Sequence, residues 1–195
     1  MNKELILYNI YNILMQKKEH PMTMDILSKN LKCSKKSLYK LFQSKNELLY
    51  EVFVLYIKQS KGVLNTIIEL DCSGGQKLVF QIKALNHIAK LFFNSYLFQG
   101  LKSLHDFEAV LIKTERDFYS ISFTHIVNEL NIPENRKEKL MNILVFIGVS
   151  IKRRYTTMNH QEAVSDIQFS EMMVTLLQSY IQKEDIALHR VQNVV

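Results

Sequence analysis

Apolar residues return every three or four positions along most of the chain, the spacing of one buried helical face. Leu5, Ile6, Ile10, Ile13 and Leu14 predict a first helix over 3–18, and Pro21 sits in the break after it. Thr23 is placed to cap a second helix, 24–31, whose apolar face is Met24, Leu27 and Leu31. Ser34 caps a third, very short helix over 35–41. Ser44, with Glu47 three residues later, forms a capping box for a fourth. That helix runs through Leu48, Leu49, Val52, Phe53 and Tyr56 to about residue 70.

Ser73-Gly74-Gly75 is the clearest break in the sequence. Leu78, Ile82, Leu85, Ile88, Ala89 and Phe92 then trace a helix of about twenty residues, and Gly100 interrupts the segment after it. Further helical stretches cover about 104–130 and 133–157. The second starts at the capping pattern Asn131-Ile132-Pro133-Glu134. Ser165-Asp166-Ile167-Gln168 opens a last helix, about 166–184, with Phe169, Met172, Met173, Leu176, Leu177, Tyr180 and Ile181. Five Gly and two Pro in 195 residues are too few for the turns of an all-β protein, so the chain reads as all-α. No repeat or low-complexity segment occurs.

The start of the chain has no signal-peptide pattern, and no apolar run approaches the roughly 20 residues of a membrane span. Two cysteines, Cys33 and Cys72, are too few for a secreted disulfide framework. A reduced, cytoplasmic protein with no membrane partner is the simplest reading. Charge changes the picture once it is located. Residues 1–62 carry 11 Lys against five acidic residues, and the remaining 14 basic and 14 acidic residues cancel. The whole net charge of +6 therefore lies in the first third, the footprint expected of a polyanion-binding segment.

Residues 33–49, CSKKSLYKLFQSKNELL, explain the short third helix. Lys32-Cys33-Ser34 is a turn of the length that joins the two helices of a helix-turn-helix. Only the first turns of the reading helix must enter a major groove, so seven residues suffice. Lys35, Lys36, Ser37 and Lys40 would face outward, with Leu38, Leu41 and Phe42 turned to the helices behind. The next helix start, with Lys45 beside it, suits a phosphate.

These residues resemble the DNA-binding domain of the TetR family of transcriptional regulators. The likeness rests on Thr23 and Leu27, Ser34, Leu38-Tyr39 and Phe42, and Ser44-Lys45 with Leu48-Leu49, and it covers about residues 5–53. The chain departs from the family at Lys32, where Gly is usual because φ is positive, and at Leu31, where a small Ala is usual. Lysine in that conformation costs on the order of 1 kcal/mol. The resemblance implies a three-helix DNA-binding domain over 1–62 and a helical effector-binding and dimerisation domain over 63–195. It implies that Thr23 and Tyr39 donate hydroxyls to phosphates and that Lys45 pairs with one. Lys35, Lys36 and Ser37 would face base edges, beside Ser34 and Lys40.

Most of the aromatic residues lie beyond residue 63 and read first as ordinary core. The resemblance implies an effector pocket among them, with Phe92, Tyr96, Phe118, Tyr119 and Phe123 as candidates and Asn86, His87, Asn94, Arg116 or His125 to orient a ligand. It implies dimerisation through the last two long helices, with Leu144, Ile147, Ile151, Met173, Leu176, Leu177 and Tyr180 as candidates. No Ser/His/Asp grouping, phosphate loop or metal-ligand spacing stands out, so neither catalysis nor a cofactor is expected. The expected protein is a one-component regulator, a repressor that binds a palindromic operator as a homodimer and answers to a small apolar or aromatic ligand. The competing reading is a helical enzyme or interaction module whose basic N-terminus is incidental.

Overall fold

The computed structural model describes residues 2–16, 22–157, 168–169 and 171–180. Among these residues the chain is helical and no strand forms. The helices are α1 (Lys3–Leu14), α2 (Met24–Asn30), α3 (Lys35–Leu41), α4 (Lys45–Ile68), α5 (Gly74–Phe93), α6 (Tyr96–Lys102), α7 (Phe107–Glu129) and α8 (Glu134–Thr157). Residues 171–180 are helical as well. The Ser165 cap lies outside the described residues.

Side-chain caps set most of these boundaries. Asn2 accepts from the Glu4 amide at 2.9 Å to start α1, and Thr23 accepts from Ile26 at 3.2 Å to start α2. Helix α1 ends sooner than the apolar pattern predicts: Leu14 is its last residue and Met15 closes it. Gly74 and Gly75 are not a gap but the first turn of α5. Ser73 and Gln76 cap it reciprocally, Gln76 N–H donating to Ser73 Oγ and Ser73 N–H to Gln76 Oε1. A Cβ on Gly74 would meet the Cδ2 of Leu130 at 2.6 Å, so a larger residue there would require the Leu130 side chain to move. Gly100 is a correction of the opposite kind. It lies inside α6, which Ser95 caps, rather than between helices.

The contacts divide the chain into two compact units. One comprises 1–63 with 88–117, the other 64–87 with 118–195. Residues 88–117 group with the N-terminal segment rather than with the rest of the stretch after residue 63. In the first unit Ile10, Leu14, Leu27, Leu38, Phe42, Leu48 and Val52 are buried almost completely. Behind them Tyr56 stacks on Phe92 at 4.4 Å, and Phe107 meets Phe53 edge-on at 5.4 Å. The Lys3 ammonium lies 2.6 Å from Glu51 and 5.0 Å from the centre of the Phe42 ring, fastening α1 over the end of α3.

The core of the second unit is mostly aliphatic, with Leu78, Ile82, Ile126, Leu140, Leu144, Ile147, Ile151 and Leu177 beside Phe118 and Phe123. Lys77 donates to Glu129 at 2.9 Å, and His125 lies 3.2 Å from the same carboxylate. The Lys77 hydrogen bond, more than any other neighbour, holds Glu129 below the usual carboxylate range. Arg154 lies over the ring of Phe169 at 4.8 Å and so joins α8 to the helical segment after it.

Candidate nucleic-acid interface

Helices α2 and α3 are joined by a turn whose hydrogen bonds are specific. The Lys32 amide donates to the Lys29 carbonyl at 3.1 Å and the Cys33 amide to Ser28 at 3.0 Å. This is the Schellman ending of a helix, which needs a left-handed residue after the cap. Lys32 is that residue, with φ of 51°, where the side chain opposes the conformation and the tertiary structure enforces it. Two residues later Ser34 opens α3, accepting from the Ser37 amide at 3.0 Å. The sharp turn and immediate restart present α3 as a separate short helix.

Only Leu38 of α3 is fully buried, and it anchors the helix to the core. Lys35, Lys36, Tyr39 and Lys40 are exposed and Ser37 is half-exposed. The expected reading residues therefore share the outer surface of one helix. Thr23 is exposed at the start of α2; its Oγ1 accepts the capping bond and its hydroxyl proton remains available. At the start of α4, Ser44 accepts from the Glu47 amide at 3.1 Å, while the Glu47 carboxylate accepts from Gln43 rather than from Ser44 itself. Lys45 follows, exposed.

The lysines are not equivalent. Lys35 Nζ lies 3.0 Å from Asp25 Oδ2 in the first turn of α2. Lys36, Lys40 and Lys45 have no ion-pair partner among the described residues. Asp25 was legible only as a favourable acid at a helix start; its pairing with a residue ten positions on follows from the helix crossing. Four cations within one turn-helix-start segment, one of them tied back, make a surface suited to a phosphodiester backbone.

No family profile matches the sequence, and no curated protein matches it. Solved structures do match. A regulator of the TetR/AcrR family from Thermobifida fusca YX-ER1 superposes with a TM-score of 0.62 at 13% identity, over 90% of this chain and 95% of that one. A TetR-like regulator from Rhodococcus sp. RHA1 gives 0.58 at 14% identity, over 92% and 96%. PfmR of Thermus thermophilus, a TetR-family regulator, gives 0.52 at 18%, over 88% and 96%. The chain has the TetR-regulator fold. The all-α reading and the resemblance found in residues 5–53 agree with it over nearly the full length.

Within this TetR-type fold the ligand candidates divide between the units. Phe92, 1% exposed, is packed among Phe53, Tyr56, Phe93 and Phe98 in the first unit. Tyr96 opens α6 in that same unit, its amide donating to the Gln16 carbonyl at 3.3 Å. Phe118 and Phe123 are buried in the second unit, and the side chains of Tyr119 and Arg116 lie outside the described part. Asn86 is already engaged, accepting from the Tyr155 hydroxyl at 3.1 Å. Gln81 was not anticipated. It is completely buried on α5, and neither its Oε1 nor its Nε2 has a partner among the described residues. A polar residue on the apolar face between Leu78 and Leu85 was the sequence signal.

The dimerisation candidates also divide. Leu144, Ile147, Ile151, Met173 and Leu177 are buried within the single chain, while Tyr180 is half-exposed. Of the seven, Leu176 alone is strongly exposed, at 55%. The neighbouring apolar residues turned outward are Val145, Phe146 and Val149 on α8, and Met172 one turn before Leu176.

Proposed function

We propose that this chain is a one-component transcriptional regulator, a repressor that binds a palindromic operator as a homodimer and releases it when a small molecule binds. The observation that carries this reading is α3 itself. A seven-residue helix, anchored by Leu38, presents Lys35, Lys36, Ser37, Tyr39 and Lys40 beside the Lys45 helix start. Lys36 is the strongest base reader, since Lys35 has a partner, and lysine suits guanine O6 and N7. Thr23, Tyr39 and Lys45 serve phosphates, which fix register without reading sequence.

A second copy is the partner of the outward apolar face formed by Val145, Phe146 and Val149 and by Met172 and Leu176. Side chains of that size left exposed favour burial on association. The effector is a small, mostly apolar molecule held within the domain over 63–195. The Gln81 carboxamide, with an acceptor and two donors unused, supports a ligand carrying its own polar edge. For ligand to release operator it must bind one arrangement of the dimer better than the other, and a ten-fold loss of DNA affinity needs about 1.4 kcal/mol of coupling.

The test is titration of the full chain onto a labelled duplex between 50 and 200 mM salt, on the order of the range in which phosphate contacts are resolved. Binding that weakens linearly in log–log form supports the reading, and binding indifferent to salt would defeat it.

A further inference from the structure

The first unit contains a cavity of about 190 Å³ beside the reading head. Its apolar wall comes from Leu14 of α1, Leu27 of α2 and Leu49 of α4, each 3% exposed or less. Its polar side comes from Lys45, Tyr96 and Gln99. Interiors normally close on such spaces. Here α6 is tied to its neighbours at two points, and the space lies beside them. The Tyr96 amide is bonded to Gln16, and Gly100 lies so close to Leu49 that an added Cβ would sit 3.0 Å from its Cδ2.

Size and chemistry narrow the occupant. The volume exceeds the roughly 150 Å³ that holds benzene and falls short of the roughly 300 Å³ where drug-sized sites begin. Among the described residues that line it, Lys45 is the one that carries charge, and no carboxylate competes for it. An apolar wall facing one cation, a phenol and a carboxamide fits a small monocarboxylate with a compact apolar body.

We propose that this cavity is a binding site for a single-ring aromatic or similarly sized carboxylate, whose anionic group takes the Lys45 ammonium. Lys45 is also the residue assigned to a DNA phosphate, so occupancy removes a phosphate contact directly. This control is separate from any effector bound in the 63–195 domain. Its binding half stands alone, while its competition half rests on the reading of Lys45 as a phosphate contact.

The experiment uses the full-length chain with benzoate as probe and benzamide as its uncharged twin, at constant ionic strength adjusted with sodium chloride. Equilibrium dialysis and saturation-transfer NMR should show benzoate bound once per chain, about ten-fold more tightly than benzamide, the worth of a charge-assisted bond. Lys45→Met should bring the two probes together. Ser103→Phe, at an exposed position lining the cavity, should abolish binding of both. In wild type, benzoate at ten times its Kd should raise the apparent Kd for duplex, by at most about ten-fold for each chain bound, and Ser103→Phe should cancel that effect. Equal binding of the two probes, a benzoate preference that survives Lys45→Met, or a duplex titration unmoved by bound benzoate would each overturn the proposal. Should duplex fail to bind even without benzoate, the DNA reading fails, and the dialysis result still decides the site.

Discussion

The Lys35 ammonium lies 3.0 Å from the Asp25 carboxylate and links the first turns of α2 and α3. Both side chains are about half exposed or more, so the pair is worth at most about 1 kcal/mol. A phosphate can therefore take Lys35 from Asp25 at small cost. The pair holds the reading helix in place while free and yields when DNA arrives.

Asp25→Asn should release Lys35 permanently. Affinity for duplexes of every sequence should rise by up to about five-fold, because the pair no longer has to be broken, while the slope of log affinity against log salt stays that of wild type. Fluorescence anisotropy across a salt series measures both. Affinity equal to that of wild type would mean that Lys35 does not leave Asp25 for the backbone.

The left-handed Lys32 is a stored cost. Lys32→Gly keeps the Schellman bonds and removes the side-chain conflict, against some added freedom in the unfolded chain. Stability should rise by roughly 0.5–1 kcal/mol. For a chain of this length that corresponds to a midpoint about 1–4 °C higher. Thermal and denaturant unfolding check it, and a destabilised Lys32→Gly would contradict the account of the turn.

Leu176 and Leu177 are adjacent, yet should behave differently. Leu177 is fully buried in its own chain, whereas Leu176 is 55% exposed. Leu177→Glu should unfold the second unit, because an unpaired charge would enter the core. Leu176→Glu should stay folded by circular dichroism and sediment as a monomer, and Phe146→Glu should do the same. Retention of the dimer by both exposed-site variants would remove this face from the interface.

Gln81 buries both ends of a carboxamide without partners among the described residues, at a cost of about 1–3 kcal/mol. Gln81→Met, close to it in shape, should raise the unfolding midpoint of the ligand-free protein. Any small molecule that stabilises wild type through this carboxamide should lose its effect on the variant. A lower midpoint in Gln81→Met would show that the amide is satisfied in solution.

Much of the fold was legible because its signals are local. Ser34 and Ser44 fix both sides of α3 through hydrogen bonds within four residues, so its range, Lys35–Leu41, could be read from sequence. Lys32 was legible through the family resemblance, which puts a glycine of positive φ at that place in the turn. Gly100 was misread because a lone glycine looks like a break. Its purpose, the approach of α6 to Leu49, depends on a residue about fifty positions away. The outward apolar face was hidden for a related reason. In the 140–151 and 169–181 stripes, inward Leu144, Ile147 and Leu177 alternate with outward Val145, Phe146 and Leu176, and periodicity does not say which row meets a partner. The Lys35–Asp25 pair likewise appears only when two helices cross.

The most direct test of the central claim is selection of bound sequences from random duplexes by the full-length chain. The account predicts a shared motif with two-fold symmetry, its half-sites about one helical turn of DNA apart, roughly 10–10.5 base pairs. Repeating the selection with Lys36→Ala should loosen preference at one position in each half-site, by about 1–3 kcal/mol, and leave the symmetry intact. Recovery of no common motif by wild type, at salt where duplex binding is measurable, would contradict the assignment of α3 as a reading helix.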